Sequence, residues 1–244
     1  MQRIFLHSTQ CIDNFLVLDS STIHHLFDVC RLNVKDQLEI VVDNKILKSV
    51  EISAIASNGC HVQILDQWRL DSNRQVNVTL IQALPKQDKL TEVARLVTTV
   101  GASDIYPVVT DFCNVSVLSE NKISRVKKTI ESAAKQSKQH AMPTLHDAQP
   151  LSEYLSNSTF LSESLRLVAY EHETTTLSKI IQGRLPTHIY LAIGPEGGFS
   201  SDDLMLLKDH SFYSFTLGNY IFRTEHAAFA AINYLDGYLA SIGP

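Results

Sequence analysis

Two short segments in the C-terminal part of the chain have the residue types and spacing to hold a small molecule. Ile193-Gly194-Pro195-Glu196-Gly197-Gly198-Phe199 follows the apolar run His188-Ile189-Tyr190-Leu191-Ala192. Leu217-Gly218-Asn219-Tyr220-Ile221-Phe222-Arg223-Thr224-Glu225-His226-Ala227 follows the apolar run from Phe212 to Thr216. Each reads as a strand that ends in a glycine-containing loop and then enters a helix. Pro195 fixes one φ angle, while the glycines admit positive φ and let a ligand approach the backbone closely. Main-chain N–H and C=O groups exposed in this way can read the edge of a flat heterocycle. On composition alone the commoner explanation is an ordinary strand–helix connection, because glycine-rich turns are frequent. Two such loops at one edge of a sheet would form a backbone-lined pocket, where α/β proteins place small ligands.

Other chemistries find less support. No G-x-G-x-x-G opens the α/β part and no G-x-x-x-x-G-K-[ST] occurs, so a Rossmann dinucleotide site and a P-loop are poor readings. Cys11, Cys30, Cys60 and Cys113 are far apart without C-x-x-C pairing, which argues for free thiols and against a disulfide framework or a zinc site. His24 and His25 suggest no third ligand, and on a helix one would pack while the other faces solvent. The 244 residues carry a net charge of −5, which excludes a uniformly basic coat for nucleic acid. A local basic cluster exists nonetheless: Lys122, Arg125, Lys127, Lys128, Lys135 and Lys138 stand against Glu131 alone. It reads equally as a solvated helix face or as a patch; Arg125, Lys128 and Lys135 share one helical face, which favours the patch slightly. No apolar run approaches the ~18 residues of a membrane span. The N-terminus lacks the apolar stretch of a signal peptide, so a soluble cytoplasmic protein is expected.

The elements that would position the loops fall into two parts. Residues 1–71 read as a small β-barrel, with Gln37–Val42 and Lys45–Ile52 flanking the turn Asp43-Asn44, and Ser57-Asn58-Gly59 leading into Cys60–Leu65. Ser21–Cys30 reads as one short helix capped by Ser21 or Thr22. The polar stretch Asp71–Gln75 marks a boundary. From residue 74 onward, strands at Val76–Ala83, Ile105–Val109, Leu165–Tyr170, His188–Ile193 and Phe212–Leu217 alternate with helices. These include one capped by Asp88 and ending at Gly101, one at about 122–139, one opened by Ser200 and Asp203, and one from Thr224 to Leu239. Alternation of this kind means a mostly parallel sheet covered on both faces.

The pair Ile193-Gly194-Pro195-Glu196-Gly197-Gly198-Phe199-Ser200 and Leu217-Gly218-x-x-Ile221-x-Arg223-Thr224-Glu225-x-Ala227 resembles the ribosomal RNA small subunit methyltransferase E family. That family belongs to the SPOUT class of knotted methyltransferases. Gln82-Ala83-Leu84-Pro85-Lys86 with Lys89, and Ser132-Ala133-Ala134-Lys135-Gln136-Ser137, resemble its first strand–helix junction and central helix. Arg3, His24-His25-Leu26 and Arg31 resemble its N-terminal domain. Phe222 and His226 stand where the family pattern has leucine and threonine; Asp111-Phe112-Cys113-Asn114 stands where it has Glu-Arg-Ser.

The resemblance implies an α/β fold: a SPOUT-type parallel sheet with a C-terminal trefoil knot, spanning 74–244, preceded by a PUA-like, RNA-binding β-barrel at 1–71. It implies S-adenosyl-L-methionine as cofactor, methyl transfer to N3 of a uridine in 16S ribosomal RNA or the small ribosomal subunit, a homodimer, and no metal. The cofactor-binding residues would be Tyr170, Glu171, Leu191, Ile193, Gly194, Pro195, Glu196, Gly197, Gly198, Leu217, Gly218, Tyr220, Ile221, Phe222, Thr224 and Ala227. Arg223 would stabilise the developing uridine anion or anchor a phosphate, and Glu225 would orient Arg223 or help accept the proton. For Glu225, a first-turn carboxylate favouring the helix dipole is at least as good a reading. Arg3, Arg31, Lys86, Lys135 and Lys138 would contact RNA. A SPOUT enzyme for another RNA nucleotide, or a non-catalytic RNA-binding or ribosome-assembly protein, remain alternatives.

Overall fold

The computed structural model describes residues 1–70, 76–184 and 186–242. Two compact units are present, Met1–Asn73 with Ala134–Ala141, and Arg74–Ala133 with Met142–Pro244. The boundary expected at Asp71–Gln75 lies outside the described residues. The segment 134–141, expected with the second part, groups with the first.

The first unit contains β1 (Gln2–Leu6), β2 (Cys11–Ile12), β3 (Phe15–Val17), α1 (Ser20–Ile23), β4 (Gln37–Val42), β5 (Ile46–Ala56) and β6 (Gly59–Arg69). They form one sheet in the order β1-β4-β5-β6-β3-β2, antiparallel except for the β1–β4 pair. Alternate residues turn to one core: Ile4 and Leu6, Leu38, Ile40 and Val42, Val50 and Ile52, Cys60 and Val62. That period of two is what a sheet with one covered face requires.

Asp43 and Asn44 take positive φ at the first hairpin, as their turn chemistry demands. The second hairpin turns on Ser57 and Asn58 instead, with Ala56 paired to Gly59. Gly59 serves a different purpose from the one its Asn-Gly context suggests. A Cβ there would stand 1.8 Å from the Leu16 carbonyl oxygen, so only glycine lets β3 pair with β6. The helix after β3 starts one residue earlier than expected. Asp19 caps it by accepting from the Thr22 N–H, and the chain continues through π-type turns at His24–Val29. There both His24 and His25 are exposed, contrary to the expectation that one packs; His24 pairs with Asp28 at 2.8 Å.

The second unit follows the alternating pattern. It contains β7 (Asn77–Ala83), α2 (Lys89–Thr99), β8 (Asp104–Val109), α3 (Glu120–Gln136), β9 (Thr144–Leu145), β10 (Gln149–Pro150), α4 (Leu151–Asn157), β11 (Ser164–Ala169), α5 (Leu177–Ile181), β12 (His188–Ile193), α6 (Ser201–Asp209), β13 (Tyr213–Phe215) and α7 (Thr224–Ile242). Every pair in this sheet is parallel, in the order β10-β8-β7-β12-β11-β13, with β9 beside β8. The strands are nearly continuously apolar because both faces are covered. Val78, Leu80, Ile105, Leu167, Ile189 and Leu191 pack with residues of α2, α3, α5 and α7. Ile81, Ala83, Val108, Val168 and Ala192 pack on the other face with α4 and α6. Ser200 and Asp203 form the expected reciprocal cap of α6. Asp88 precedes α2 without capping it, because its carboxylate pairs with Arg125 at 2.9 Å.

Candidate active site at the carboxyl edge of the parallel sheet

In a parallel sheet all strands point the same way, so the segments leaving β11, β12 and β13 emerge at one edge. These strands are neighbours in the order β12-β11-β13. Their three loops enclose a cavity of about 410 Å3. That volume lies within the roughly 300–1,000 Å3 of small-molecule sites.

The cavity is lined by Ala169, Tyr170 and Glu171 after β11; Ile193, Gly194, Pro195, Glu196, Gly198 and Phe199 after β12; Thr216 through Thr224 after β13; Ala227 of α7; and Lys89 of α2. Of the residues expected at a cofactor, two are not there. Leu191 is wholly buried inside β12, facing the helices, because only the last strand residue reaches the edge. Gly197 turns toward Phe112, whose Cβ would lie 3.2 Å from a Cβ at that position. Ala169, Phe199, Thr216 and Asn219 line the cavity without having been expected at the cofactor; each flanks or interrupts a run that was. Lys89 was singled out only with the first strand–helix junction, since only the fold brings α2 to the loop after β12.

Polar contacts fix this end of the sheet. Thr224 donates from Oγ1 to the Gly194 carbonyl at 2.6 Å and accepts from Gln82 Nε2 at 3.0 Å. Gln82 is fully buried at the end of β7, so β7, β12 and the start of α7 share one buried linkage. The Glu196 carboxylate accepts from the Lys86 N–H at 3.1 Å and pairs with Lys89 Nζ at 2.9 Å. Burial alone would push its pKa up, but the Lys89 ammonium and backbone N–H donors outweigh it and hold the carboxyl below its ordinary value. The same contact with Glu196 raises the Lys89 pKa. In the loop after β11, Glu173 accepts from Ser214 Oγ and from the Thr174 and Thr175 N–H groups, which lower its pKa to about 2.

Arg223 is exposed and borders the cavity. Glu225 does not; it is 3% exposed and its Oε2 lies 3.8 Å from Lys89 Nζ. The two residues expected to share the chemistry are therefore separated, one in the cavity and one behind it.

The residues expected at RNA differ in exposure. Arg31, Lys86 and Lys138 are exposed and Lys135 is half-buried. Arg3 is a correction. Its side chain is 5% exposed, pairs with Glu39 at 2.9 Å, and donates to the Lys138 and Gln139 carbonyls, so it is a structural cation within the first unit. Among the described residues, no three His, Cys, Asp or Glu side chains converge as a metal site would need, and no helix is long and apolar enough to cross a membrane.

Two domain families match the chain: an RNA methyltransferase domain over residues 72–236 and an RNA methyltransferase PUA domain over 18–65. The ribosomal RNA small subunit methyltransferase E of Rickettsia conorii is 30% identical over 236 residues, which cover 94% of this chain and 93% of that protein. Two solved structures share the fold. The Neisseria gonorrhoeae ribosomal RNA small subunit methyltransferase E, bound to S-adenosyl methionine, has a TM-score of 0.84 at 22% identity, covering 98% of each chain. A Legionella pneumophila protein with its bound cofactor SAM has a TM-score of 0.82 at 24% identity, covering 97% of each. With one domain family spanning most of the sequence and a relative alike over nearly its whole length, this chain belongs to the ribosomal RNA small subunit methyltransferase E family.

Proposed function

We propose that this protein transfers a methyl group from S-adenosylmethionine to N3 of a uridine in 16S ribosomal RNA. It would act as a homodimer on the RNA or the small ribosomal subunit, with a trefoil knot in the parallel-sheet domain shaping the cofactor pocket. Residues 1–71 would form the RNA-binding domain and 74–244 the methyltransferase domain. The observation that carries the reading is the cavity where three neighbouring parallel strands end, lined by main chain and bordered by one exposed arginine. The Rickettsia relative's name supports the substrate class, and the ligand bound to the Neisseria protein supports the cofactor.

The residues present fit such a nucleoside. The backbone of Gly194, Pro195, Gly198, Leu217 and Gly218 borders the cavity, and a Cβ at Gly218 would meet no atom within 4 Å. Main-chain donors and acceptors suit a purine edge; Ile193, Leu217 and Ala227 supply apolar contact. When bound, S-adenosylmethionine supplies an electrophilic methyl on a sulfonium sulfur. The protein's share is to hold the acceptor nitrogen in line and to ease loss of its proton. Arg223, at the exposed edge of the cavity, stabilises the negative charge that develops on the uracil ring. Glu225, set behind the cavity, acts on Arg223 rather than on the substrate. Arg31, Lys86, Lys135 and Lys138 make phosphate contacts that position the RNA without reading its sequence.

Arg223→Ala is expected to bind S-adenosylmethionine normally by calorimetry and to lose methyl transfer by about a hundredfold or more. Near-normal turnover would remove Arg223 from the reaction. Mass mapping of 16S ribosomal RNA from cells lacking the protein tests the target: a fully methylated uridine N3 there would contradict it.

A further inference from the structure

Lys89, read from the sequence only as part of the first strand–helix junction and not as a cavity residue, stands between two carboxylates from different elements. Its ammonium lies 2.9 Å from Glu196 in the loop after β12 and 3.8 Å from Glu225 in the first turn of α7. The two acids are not equivalent. Glu196 also accepts from the Lys86 N–H, whereas Glu225 Oε2 is buried with no hydrogen-bond partner among the described residues. A buried carboxylate oxygen without a donor is costly unless a counter-charge is close. The charged groups around Lys89 are Glu196, Glu225 and Arg223 from the facing elements. On its own helix Glu92 is engaged with Arg95, and Asp88 with Arg125. Lys89 is thus the ammonium in contact range of Glu225.

We infer that Lys89 is a positioning residue for methyl transfer, acting through Glu225: its ammonium, paired with Glu196 and close to that buried carboxylate, sets the first turn of α7 against the loop after β12. The inference rests on the proposed methyl transfer for its functional consequence, but the ion pair can be tested without it. With Lys89 neutralised, the buried Glu225 carboxylate loses the counter-charge that offsets its desolvation. Removing one partner of a buried pair is the destabilising case, so neutralising both should recover part of the loss.

The full chain carrying Lys89→Met, Lys89→Arg, Glu225→Gln, or Lys89→Met with Glu225→Gln should be melted at near-neutral pH and read as a double-mutant cycle. Lys89→Met is expected to melt lower than wild type, and the double variant to lose less stability than the two single variants together. In methylation of 16S ribosomal RNA with labelled S-adenosylmethionine, Lys89→Met should fall by about tenfold or more while Lys89→Arg stays within about threefold. The double variant should be no slower than Lys89→Met, since residues acting as one unit are non-additive. Stability losses that simply add, or rate losses that multiply in the double variant, would overturn the inference. An active wild type whose Lys89→Met variant melts and turns over normally would overturn it too. A wild type that binds no S-adenosylmethionine would instead defeat the functional reading, while the melts would still decide on the Lys89–Glu225 pair.

Discussion

Around the cavity, the loop after β12 is pinned on every side, whereas the loop after β13 stands largely in solvent. The first has its Gly194 carbonyl held by Thr224, its Glu196 held by Lys86 and Lys89, and a turn closed by the Gly198 N–H on the Pro195 carbonyl. The second is tied near its start, where the Thr216 hydroxyl bonds to the Gly218 main chain. Beyond that, Tyr220 and Ile221 are 86% and 84% exposed. One wall of the site is built before any ligand arrives, which reduces the ordering cost of binding. The other presents consecutive apolar side chains to solvent, an arrangement that marks contact with another molecule rather than a packed wall.

The largest effect on cofactor binding is expected where the pinned loop has no slack. A Cβ at Gly194 would lie 3.1 Å and 3.2 Å from backbone atoms of Gly198, so Gly194→Ala must move the facing turn. It should weaken S-adenosylmethionine binding by about tenfold or more, on the order of 1.4 kcal/mol, by calorimetry. Unchanged affinity would mean the loop yields easily. Next, Thr224→Val strips the Gly194 carbonyl and the Gln82 amide of a shared partner. It should lower stability by about 1–3 kcal/mol in chemical denaturation.

Glu173 gives a smaller effect confined to acid. Its folded pKa of about 2 is below its ordinary 4.5, so it contributes stability above pH 4.5 that is lost as pH falls toward 2. Glu173→Gln should flatten that part of the stability–pH curve, and an unchanged curve would contradict the hydrogen bonds to Ser214, Thr174 and Thr175. The smallest effect belongs to the exposed loop: Tyr220→Ala and Ile221→Ala should each change stability by no more than about 0.5 kcal/mol. A larger loss would show that the loop is packed, and the contrast between the two walls would fail.

What could be read from the residues follows the range of the interactions. Periodicity exposes strands whose faces are both covered, such as β7 and β12, and capping chemistry exposes α6 through Ser200 and Asp203. Both are local signals. The two-residue strands β9 and β10 carry no period to detect. The cap at Asp19 was misplaced by two or three residues, because Ser21, Thr22 and Asp19 all suit the role and only the chain's path selects among them.

At the site, the glycine loops were legible because their residue types are unusual. Lys89 was legible as part of the first strand–helix junction but not as a cavity residue, since that place comes from Glu196 and Glu225, which are remote in sequence. Arg3 failed in the opposite direction. An arginine near a terminus reads as surface, and its burial depends on Glu39 and on carbonyls at 138 and 139. Leu191 shows the same limit on a small scale: an apolar strand residue cannot be assigned to a pocket until the strand's end is known.

The account depends on S-adenosylmethionine occupying the space between the two glycine loops. A crystal structure of this protein grown with saturating S-adenosylmethionine decides it. The nucleoside is expected against the main chain of Gly194–Gly198 and Leu217–Gly218, with Arg223 at the cavity mouth. Density for the ligand elsewhere on the chain, or none at saturation, would contradict it.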